Sequence, residues 1–446
     1  MRTGWLVAFL PLLGFACSAE SRTDAAVAPD GGAEAPAFGA DASAAACEGL
    51  ECAKPACADG ATTAIEGEVY DPAGKATVYN VRVYVPNAEP DAFPEGVQSC
   101  DRCAAPLTGK PVAVTLTDER GHFRIEGVPA GERVPLVAQI GKFRRKIVVP
   151  RVEPCKTTKL ADGALSLPRT RGEGDLPRIA VVTGGYDELG CVLRRIGLDD
   201  AEFGPPGSKA SVHVYKGQGG GGVTGGTAKS ASELWSDVDT LKQYDAVLLA
   251  CEGDEAEADK TPAAKKALYD YVAAGGRVFA THYHYTWIKG SPEADVRGVA
   301  SWNPPASAYG TEDDLVDTSF PKGAAMAAWL KENGASKTAG SIAIENPARN
   351  VAKVTPEVAQ RWIYASDEQV RYFSFNVPVG APAAQQCGRV AFTDIHSRER
   401  LGAFTLPGGC DPSDMTPQER ALEFLLFDLS ACVQPDADKP APPPIK

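Results

Sequence analysis

The sequence lacks the features that mark several common functional classes. Its 446 residues carry 45 Lys and Arg against 58 Asp and Glu, a net charge of −13. It has no basic stripe with interleaved aromatic residues, so we do not expect it to bind nucleic acid. Beyond the first sixteen residues, no stretch reaches the roughly 18 consecutive apolar residues that a membrane-spanning helix needs. We therefore interpret the excess of acidic residues as a feature that keeps the protein soluble.

Phosphate-binding and zinc-ribbon motifs are also incomplete. Residues 217–222, GQGGGG, satisfy the GxGxxG spacing, but no helix opens directly after them and the GK[ST] of a P-loop is missing. We interpret them as a flexible surface loop. Cys100 and Cys103 have a CxxC spacing, which could be a redox or zinc motif. No helix signal follows it and no second CxxC completes a zinc site, which favours structural disulfides.

The N-terminus predicts export. Residues 1–16 hold one Arg followed by an apolar run, typical of a signal peptide. Cys17 follows Leu-Gly-Phe-Ala, which resembles a bacterial lipobox and predicts lipidation of Cys17; ordinary secretory cleavage near Ala16 or Ala19 is the alternative. Residues 18–46 have almost nothing to bury and predict a disordered tether. We expect an exported protein, held by an N-terminal lipid in the outer membrane or facing the periplasm.

Twelve cysteines support an oxidising compartment. Apart from Cys17, six lie in the N-terminal region and could make three disulfides, with 15 possible connectivities. Five lie in the C-terminal region, so at least one of these thiols is free unless a pair crosses between the regions. The two groups are Cys47, Cys52, Cys57, Cys100, Cys103 and Cys155, and Cys191, Cys251, Cys387, Cys410 and Cys432.

Residues 47–168 predict a Cys-rich cap followed by an all-β sandwich. From Thr62 the apolar residues alternate with polar ones, and turn signals separate the short strands. The stretches GEVYDPAGK (67–75), VRVYVPN (81–87) and TDERGHFRIEGVPAG (117–131) resemble the carboxypeptidase regulatory-like, transthyretin-like module. That resemblance implies a non-catalytic spacer or binding platform. Residues 88–111 are an insertion relative to it.

After a predicted linker at 150–176, the pattern changes to continuous apolar strands alternating with helices. Such strands are buried on both faces, and the alternation predicts βαβ crossovers. Thr261-Pro262 and Thr416-Pro417 are helix starts, the second with Glu419 completing a capping box. Residues 177–433 therefore predict an α/β domain with a flavodoxin-like, mostly parallel sheet, and residues 434–446 a disordered tail.

Polar residues follow four of the predicted strands. Ligands bind outside the carboxyl ends of the strands in open α/β sheets, so these groups would lie on one rim. His282, His284, His396 and Asp394 could then bind Zn²⁺ or another divalent ion. Cys251, Glu252 and His282 could instead supply nucleophilic or acid–base groups. A third interpretation is that Cys251 is a buried apolar residue and the histidines pack among aromatic side chains.

The second region resembles the class I glutamine amidotransferase-like fold, closest to its ThuA-like branch. The resemblance lies in YDAVLLACEG (244–253), ALYDYVAAGGRVFATHYH (267–284) and residues 387–429. Glutaminases of this fold keep a Cys at the elbow after the strand that corresponds to 277–281. Here that place is His282, and Cys251 lies on the preceding strand, so glutaminase activity is not expected. The ThuA-like branch has a His near this elbow and a sugar-related function.

The chain as a whole resembles lipoproteins of myxobacteria. Together with the patterns above, this resemblance leads to two functional expectations. The first expectation is a cell-envelope lipoprotein that binds a carbohydrate or another small molecule without catalysing a reaction. The alternative is an exported metal-dependent hydrolase or isomerase that uses His282, His284 and His396.

Overall fold

The structure, a computed structural model, describes residues 47–398 and 402–445. The predicted signal peptide, the tether and the lipidation site Cys17 lie outside the described residues and stay predictions. Residues 47–446 form one compact unit.

The N-terminal part is a sandwich of two sheets, as the alternating pattern predicted. One sheet has the order β4-β1-β7 and the other the order β3-β2-β5-β6. Apolar residues of both sheets fill the space between them, including Ile65, Val83 and Phe123. The strands are β1 Ala64–Glu68, β2 Arg82–Pro86, β3 Pro111–Leu116, β4 His122–Glu126, β5 Gly131–Ile140, β6 Phe143–Val152 and β7 Thr157–Lys159.

The predicted linker at 150–176 is partly ordered strand. β6 runs on to Val152 because it pairs with β5 as far as Gly131. β7 adds to the other sheet, parallel to β1. Leu165 and Leu167 are fully buried in the apolar core. The segment therefore belongs to the sandwich over most of its length.

The C-terminal part is a large mixed sheet with helices. Its strands are β8 Ile179–Thr183, β9 Phe203–Gly204, β10 Val212–Lys216, β11 Lys229–Ser230, β12 Ala246–Leu249, β13 Arg277–Thr281, β14 Ala300–Trp302, β15 Thr311–Val316, β16 Ser341–Glu345, β17 Val351–Val354, β18 Gln360–Ser366, β19 Gln369–Val377 and β20 Gly388–Thr393. Its helices are α1 Leu189–Arg195, α2 Ala231–Trp235, α3 Val238–Leu241, α4 Pro262–Ala273, α5 Thr286–Lys289, α6 Ala294–Arg297, α7 Pro321–Glu332 and α8 Pro417–Ser430.

The two predicted helix starts are confirmed. Thr261 accepts a hydrogen bond from the Ala264 amide at the start of α4. Thr416 and Glu419 form the predicted capping box at the start of α8. In both helices Pro occupies the first turn, where its missing N–H costs no hydrogen bond.

The sheet is parallel on one side and antiparallel on the other. The strands β10, β8, β12, β13 and β20 lie side by side in this order, and all neighbouring pairs are parallel. The order then continues with the antiparallel strands β19, β18, β15 and β16. The carboxyl ends of β8, β12, β13 and β20 therefore meet at one edge. This arrangement positions the site described below.

Five disulfides link ten of the cysteines, and they correct the expected pairing. Only two of them join N-terminal cysteines to each other, and two more cross to the C-terminal region. They are Cys47–Cys52, Cys57–Cys155, Cys100–Cys387, Cys103–Cys432 and Cys191–Cys410. Three N-terminal pairs do not form because the insertion at 88–111 lies against the α/β region, where the Val97 amide donates to the Lys242 carbonyl at 2.8 Å.

The CxxC cysteines therefore belong to two separate structural disulfides. Cys251 is the free cysteine of the described residues and is buried.

Five disulfides indicate that the protein folds in an oxidising, extracytoplasmic compartment. In the described residues, no helix has the length and apolarity needed to cross a membrane.

The sandwich packs tightly on the α/β region. The Phe143 and Phe427 rings meet edge to face with centroids 5.7 Å apart, and Tyr79 stacks on Phe424 at 5.8 Å. The Trp329 indole donates to the Thr77 carbonyl at 2.6 Å. One apolar core runs through both parts.

The predicted disordered tail is wrong at its start. The Asp436 side chain is 8% exposed, and its carboxylate lies 2.7 Å from the Arg389 guanidinium and 3.4 Å from the Lys322 ammonium. These two buried cations need two counter-charges; Asp428 on α8 supplies one and Asp436 of the tail supplies the other.

Candidate metal centre

Three potential metal ligands converge at the carboxyl ends of the parallel strands. Cys251 follows β12, His282 follows β13 and His396 follows β20. One donor atom from each lies within 4.8 Å of the other two. The Cys251 sulfur is 3.3 Å from His282 Nδ1, and His396 Nε2 is 3.0 Å from the same nitrogen. We call these three residues the Cys-His-His cluster.

Hydrogen bonding alone does not account well for these contacts. His282 Nδ1 has either one proton or one lone pair, so it can form one good hydrogen bond and not two. A bound cation would satisfy all three donor atoms at once. Tetrahedral zinc with ordinary bond lengths puts two nitrogen ligands about 3.3 Å apart and a sulfur and a nitrogen about 3.6 Å apart. The two distances from His282 Nδ1 are within a few tenths of an ångström of these values, whereas the Cys251 sulfur and the His396 nitrogen are held only to within 4.8 Å of each other.

The protonation states of the imidazoles suit a metal. Burial lowers the pKa of His282 to about 4 and holds the pKa of His396 well below its usual value. Both rings are therefore neutral at pH 7, as metal ligands must be. Burial, with the nearby Asp187 carboxylate, raises the pKa of the Cys251 thiol. A neutral thiol is a poor nucleophile, whereas a bound metal would deprotonate it.

His282 sits in a strained backbone conformation. Its φ is +42°, in the left-handed region that non-glycine residues rarely adopt. This sharp turn directs Nδ1 towards Cys251 and His396. Its Nε2 is buried and has no hydrogen-bond partner among the described residues. Such strain persists where the surroundings over-determine it, which is common at functional sites.

Aromatic rings cover the Cys-His-His cluster. Tyr283 stacks on His282 with ring centroids 4.1 Å apart, and Tyr186 lies 5.0 Å from His396. Cys251 and His396 are fully buried and His282 is 3% exposed. The predicted packing of histidines among aromatic side chains is thus also seen, alongside the convergence of ligand atoms.

Asp187 organises the cluster and was not identified from the sequence. It lies between β8 and α1 and is almost fully buried. Its Oδ2 accepts hydrogen bonds from the Thr281 hydroxyl at 2.9 Å and the Cys251 amide at 3.2 Å. Burial raises its pKa to about 6. The sequence signal was its place two residues after the Gly184-Gly185 turn, close to a strand end.

His284 lies apart from the cluster. Its Nε2 is 2.9 Å from the Ala250 carbonyl, and the Trp287 indole donates to its Nδ1 at 3.0 Å. Both ring nitrogens are occupied by protein groups. In this conformation His284 supports the strand ends and offers no nitrogen to a metal.

Asp394 also turns away from the cluster. Its Oδ2 accepts hydrogen bonds from the amides of Asn350 at 2.7 Å and Val351 at 3.0 Å. It therefore fastens the end of β20 to the start of β17. Burial raises the pKa of Asp394 to about 7.

Glu252 forms a buried ion pair beside the cluster. Its Oε2 is 2.7 Å from the Lys260 ammonium, and its Oε1 accepts from the Gln218 amide at 2.9 Å. Both carboxylate oxygens are engaged, so Glu252 holds the glycine-rich loop in place. It is not positioned as a free base.

The glycine-rich loop is packed, which corrects the expected flexible surface loop. Gly220 and Gly221 are buried. A Cβ on Gly221 would lie 1.5 Å from the Phe404 carbonyl oxygen, and one on Gly220 would lie 2.2 Å from that of Thr183. The glycines are needed because the loop passes close to other backbone segments.

A large cleft lies elsewhere. A groove of about 740 Å³ separates the sandwich from the α/β region, lined by residues that include Pro72, Lys75, Arg194 and Arg420. The Cys-His-His cluster does not line it. The cleft contributes no group to the chemistry described above.

Comparison with known proteins finds only distant structural similarity. The chain matches no family model and no curated protein. It is similar to the structure of a putative ThuA-like protein from Bacteroides uniformis, with 10% identity over 56% of this chain and 90% of that chain and a TM-score of 0.31. A cytoplasmic protein from Salmonella typhimurium has 11% identity over 57% and 98%, with a TM-score of 0.29. A cohesin–X-dockerin complex from Acetivibrio cellulolyticus has 14% identity over 33% and 79%, with a TM-score of 0.16.

Proposed function

We propose that this is an exported zinc-binding protein whose ligands are Cys251, His282 and His396. The observation that carries the proposal is the approach of three donor atoms from three neighbouring strand ends to within 4.8 Å of one another. The shared contacts of His282 Nδ1 and the neutral state of both imidazoles support it. A thiolate with two imidazoles is a donor set that suits zinc.

The fold supports this location for a ligand. Numbered along the chain, the parallel strands β8, β10, β12, β13 and β20 have the spatial order 2-1-3-4-5, which is that of flavodoxin-like sheets. Such sheets bind ligands outside the carboxyl ends of their strands. We therefore retain the class I amidotransferase-like, flavodoxin-like assignment as part of the proposal.

Metal analysis of the purified full-length protein tests the proposal. After equilibration with zinc and removal of the excess, we expect about one zinc per chain. Cys251→Ser and His396→Ala should each lower this content several-fold, because each removes one of three ligands. His284→Ala is the matched buried control and should keep its zinc, and the exposed His122→Ala should behave as the unmodified chain does. Zinc well below one per chain, or equal loss in His284→Ala and His396→Ala, would overturn it.

Metal-dependent hydrolysis is the second candidate, and the number of ligands favours it. Structural zinc sites usually have four protein ligands, whereas catalytic sites have three and leave a position for water or substrate. Turnover of an activated ester that depends on added zinc and is abolished by Cys251→Ser would support hydrolysis. Equal turnover by the unmodified chain and Cys251→Ser would exclude this site as its source.

Lipid anchoring and a carbohydrate ligand remain separate proposals. The lipid proposal rests on the Cys17 motif, and the carbohydrate on the ThuA-like resemblance. A Cys17→Ser variant should lose its membrane association in fractionated cells, and its retention would contradict the anchor.

A further inference from the structure

A second buried polar cluster lies where the sandwich contacts α8. Asp71, in the turn after β1, and Glu423, on α8, are both fully buried. Arg420, one turn earlier on α8, places Nη1 2.6 Å from Glu423 Oε2 and 3.8 Å from Asp71 Oδ2. The other oxygen of Asp71 accepts from the Lys75 amide at 2.8 Å. We call Asp71, Arg420 and Glu423 the carboxyl cluster.

The carboxyl cluster has more acceptors than donors. Asp71 Oδ2 and Glu423 Oε1 are buried without a hydrogen-bond donor. Both carboxyl groups lie beside the same Arg420 Nη1, and two carboxyl groups can hydrogen-bond to each other only when one of them is protonated. Burial, opposed by Arg420 and reinforced by Asp71, raises the pKa of Glu423 to about 8, and burial also raises that of Asp71.

Among the described residues, Arg420 is the cation that lies beside the two carboxyl groups. The cations on the neighbouring elements pair with other acidic residues. The Lys75 ammonium turns away to Asp414 at 2.8 Å, on the exposed side of the junction. From α1, Arg195 pairs with Glu188 and with Glu419. From α7, the neutral Trp329 indole donates a hydrogen bond to the Thr77 carbonyl. Full ionisation would therefore bury two negative charges against one positive charge, which is unfavourable.

We propose that Asp71 and Glu423 share one proton, and that this proton makes the contact between the sandwich and α8 sensitive to pH. The contact is firm while the proton is present and loosens when it leaves at alkaline pH. Because Pro72, Lys75 and Arg420 also line the 740 Å³ cleft, loosening would widen that cleft. This inference is independent of the zinc proposal.

The direction of the pH effect on stability follows from proton linkage. Glu423 has a raised pKa in the folded protein, so the folded state holds a proton that an opened or unfolded state releases above about pH 4.3. The stabilising contribution therefore falls as pH rises from about 4.3 to about 8, and changes little above that.

Hydrogen exchange of the full chain at pH 6.5 and 9, corrected for intrinsic exchange rates, tests the inference. We expect the opening constant of the segment 70–78 to rise by at least about tenfold between these pH values, because an opened Glu423 loses its proton. Glu423→Gln should remove most of this rise, since its amide can donate permanently to Asp71. Asp71→Asn gives a second, independent variant with the same expectation.

The control removes an exposed carboxylate from the same junction. Glu332 on α7 lies 3.6 Å from Arg120 of the sandwich, and its side chain is 49% exposed. Glu332→Gln should keep the full rise. The proposal is overturned if the unmodified chain changes less than about twofold, or if both carboxyl-cluster variants keep its rise.

Discussion

At the scale of single residues, Asp187 is the main positioning group of the zinc proposal. It holds the Cys251 amide and the Thr281 hydroxyl without being a ligand itself. Groups in this supporting role typically affect metal affinity by about 10–100-fold. We expect Asp187→Asn to weaken zinc binding by about that factor while about one zinc per chain still binds at saturation. Competition with a chromophoric chelator measures the affinity; an unchanged value would deny Asp187 this role.

The sequence predicted which strand ends carry chemistry, but not which side chains meet. Cys251, His282 and His396 were all among the candidates, because each follows a continuous apolar strand. His284 and Asp394 were candidates for the same reason, yet their side chains turn to Ala250 and to the amides before β17. The direction of a side chain after a strand depends on local turn geometry. The positive φ of His282 could not be predicted from the sequence, because the residue at this position is not a glycine and so does not mark a left-handed turn.

At the scale of elements, α8 depends on its first turn. Thr416 accepts from the Glu419 amide, and the Glu419 carboxylate accepts from the Thr416 amide. Loss of a Thr cap costs about 1 kcal/mol. We expect Thr416→Ala to lower the free energy of unfolding by about that amount in urea denaturation. Thr338→Ala, at an exposed position, should change it by less than about 0.5 kcal/mol; an equal loss in both would contradict the assignment.

Local signals explain which elements were predictable. The helices α4 and α8 carry Thr-Pro starts, and β13 has the bounds, 277–281, that its apolar run predicted. The strand β7 was missed because three residues with one partner strand leave no periodicity to read. The docking of the insertion at 88–111 was missed for another reason. It depends on partners about 290 and 330 residues away, which no local pattern encodes.

At the scale of the whole molecule, the disulfides define a single free thiol. Of the eleven cysteines from Cys47 onwards, Cys251 alone is unpaired and it is buried. We expect alkylation without reductant to leave all eleven unlabelled in the folded protein and to label only Cys251 after unfolding. Peptide mapping by mass spectrometry identifies which cysteines carry the label. Labelling of Cys100 or Cys103 under these conditions would contradict the crossed pairs.

The sequence predicted two regions, and the molecule joins them. An all-β part followed by an α/β part was readable from the change of hydrophobic period. Their shared core, the two crossing disulfides and the buried Asp71–Arg420 contact could not be predicted from the sequence. Each depends on residues far apart in the chain whose meeting is fixed only by the packing of the sandwich on α8.

X-ray absorption at the zinc edge is the most direct test of the central claim. On the zinc-loaded protein we expect one sulfur at about 2.3 Å and nitrogen or oxygen ligands at about 2.0–2.1 Å, two of them with the outer-shell scattering of imidazole. In Cys251→Ser the sulfur contribution should vanish. A first shell of nitrogen and oxygen alone in the unmodified chain would contradict a centre built from Cys251, His282 and His396.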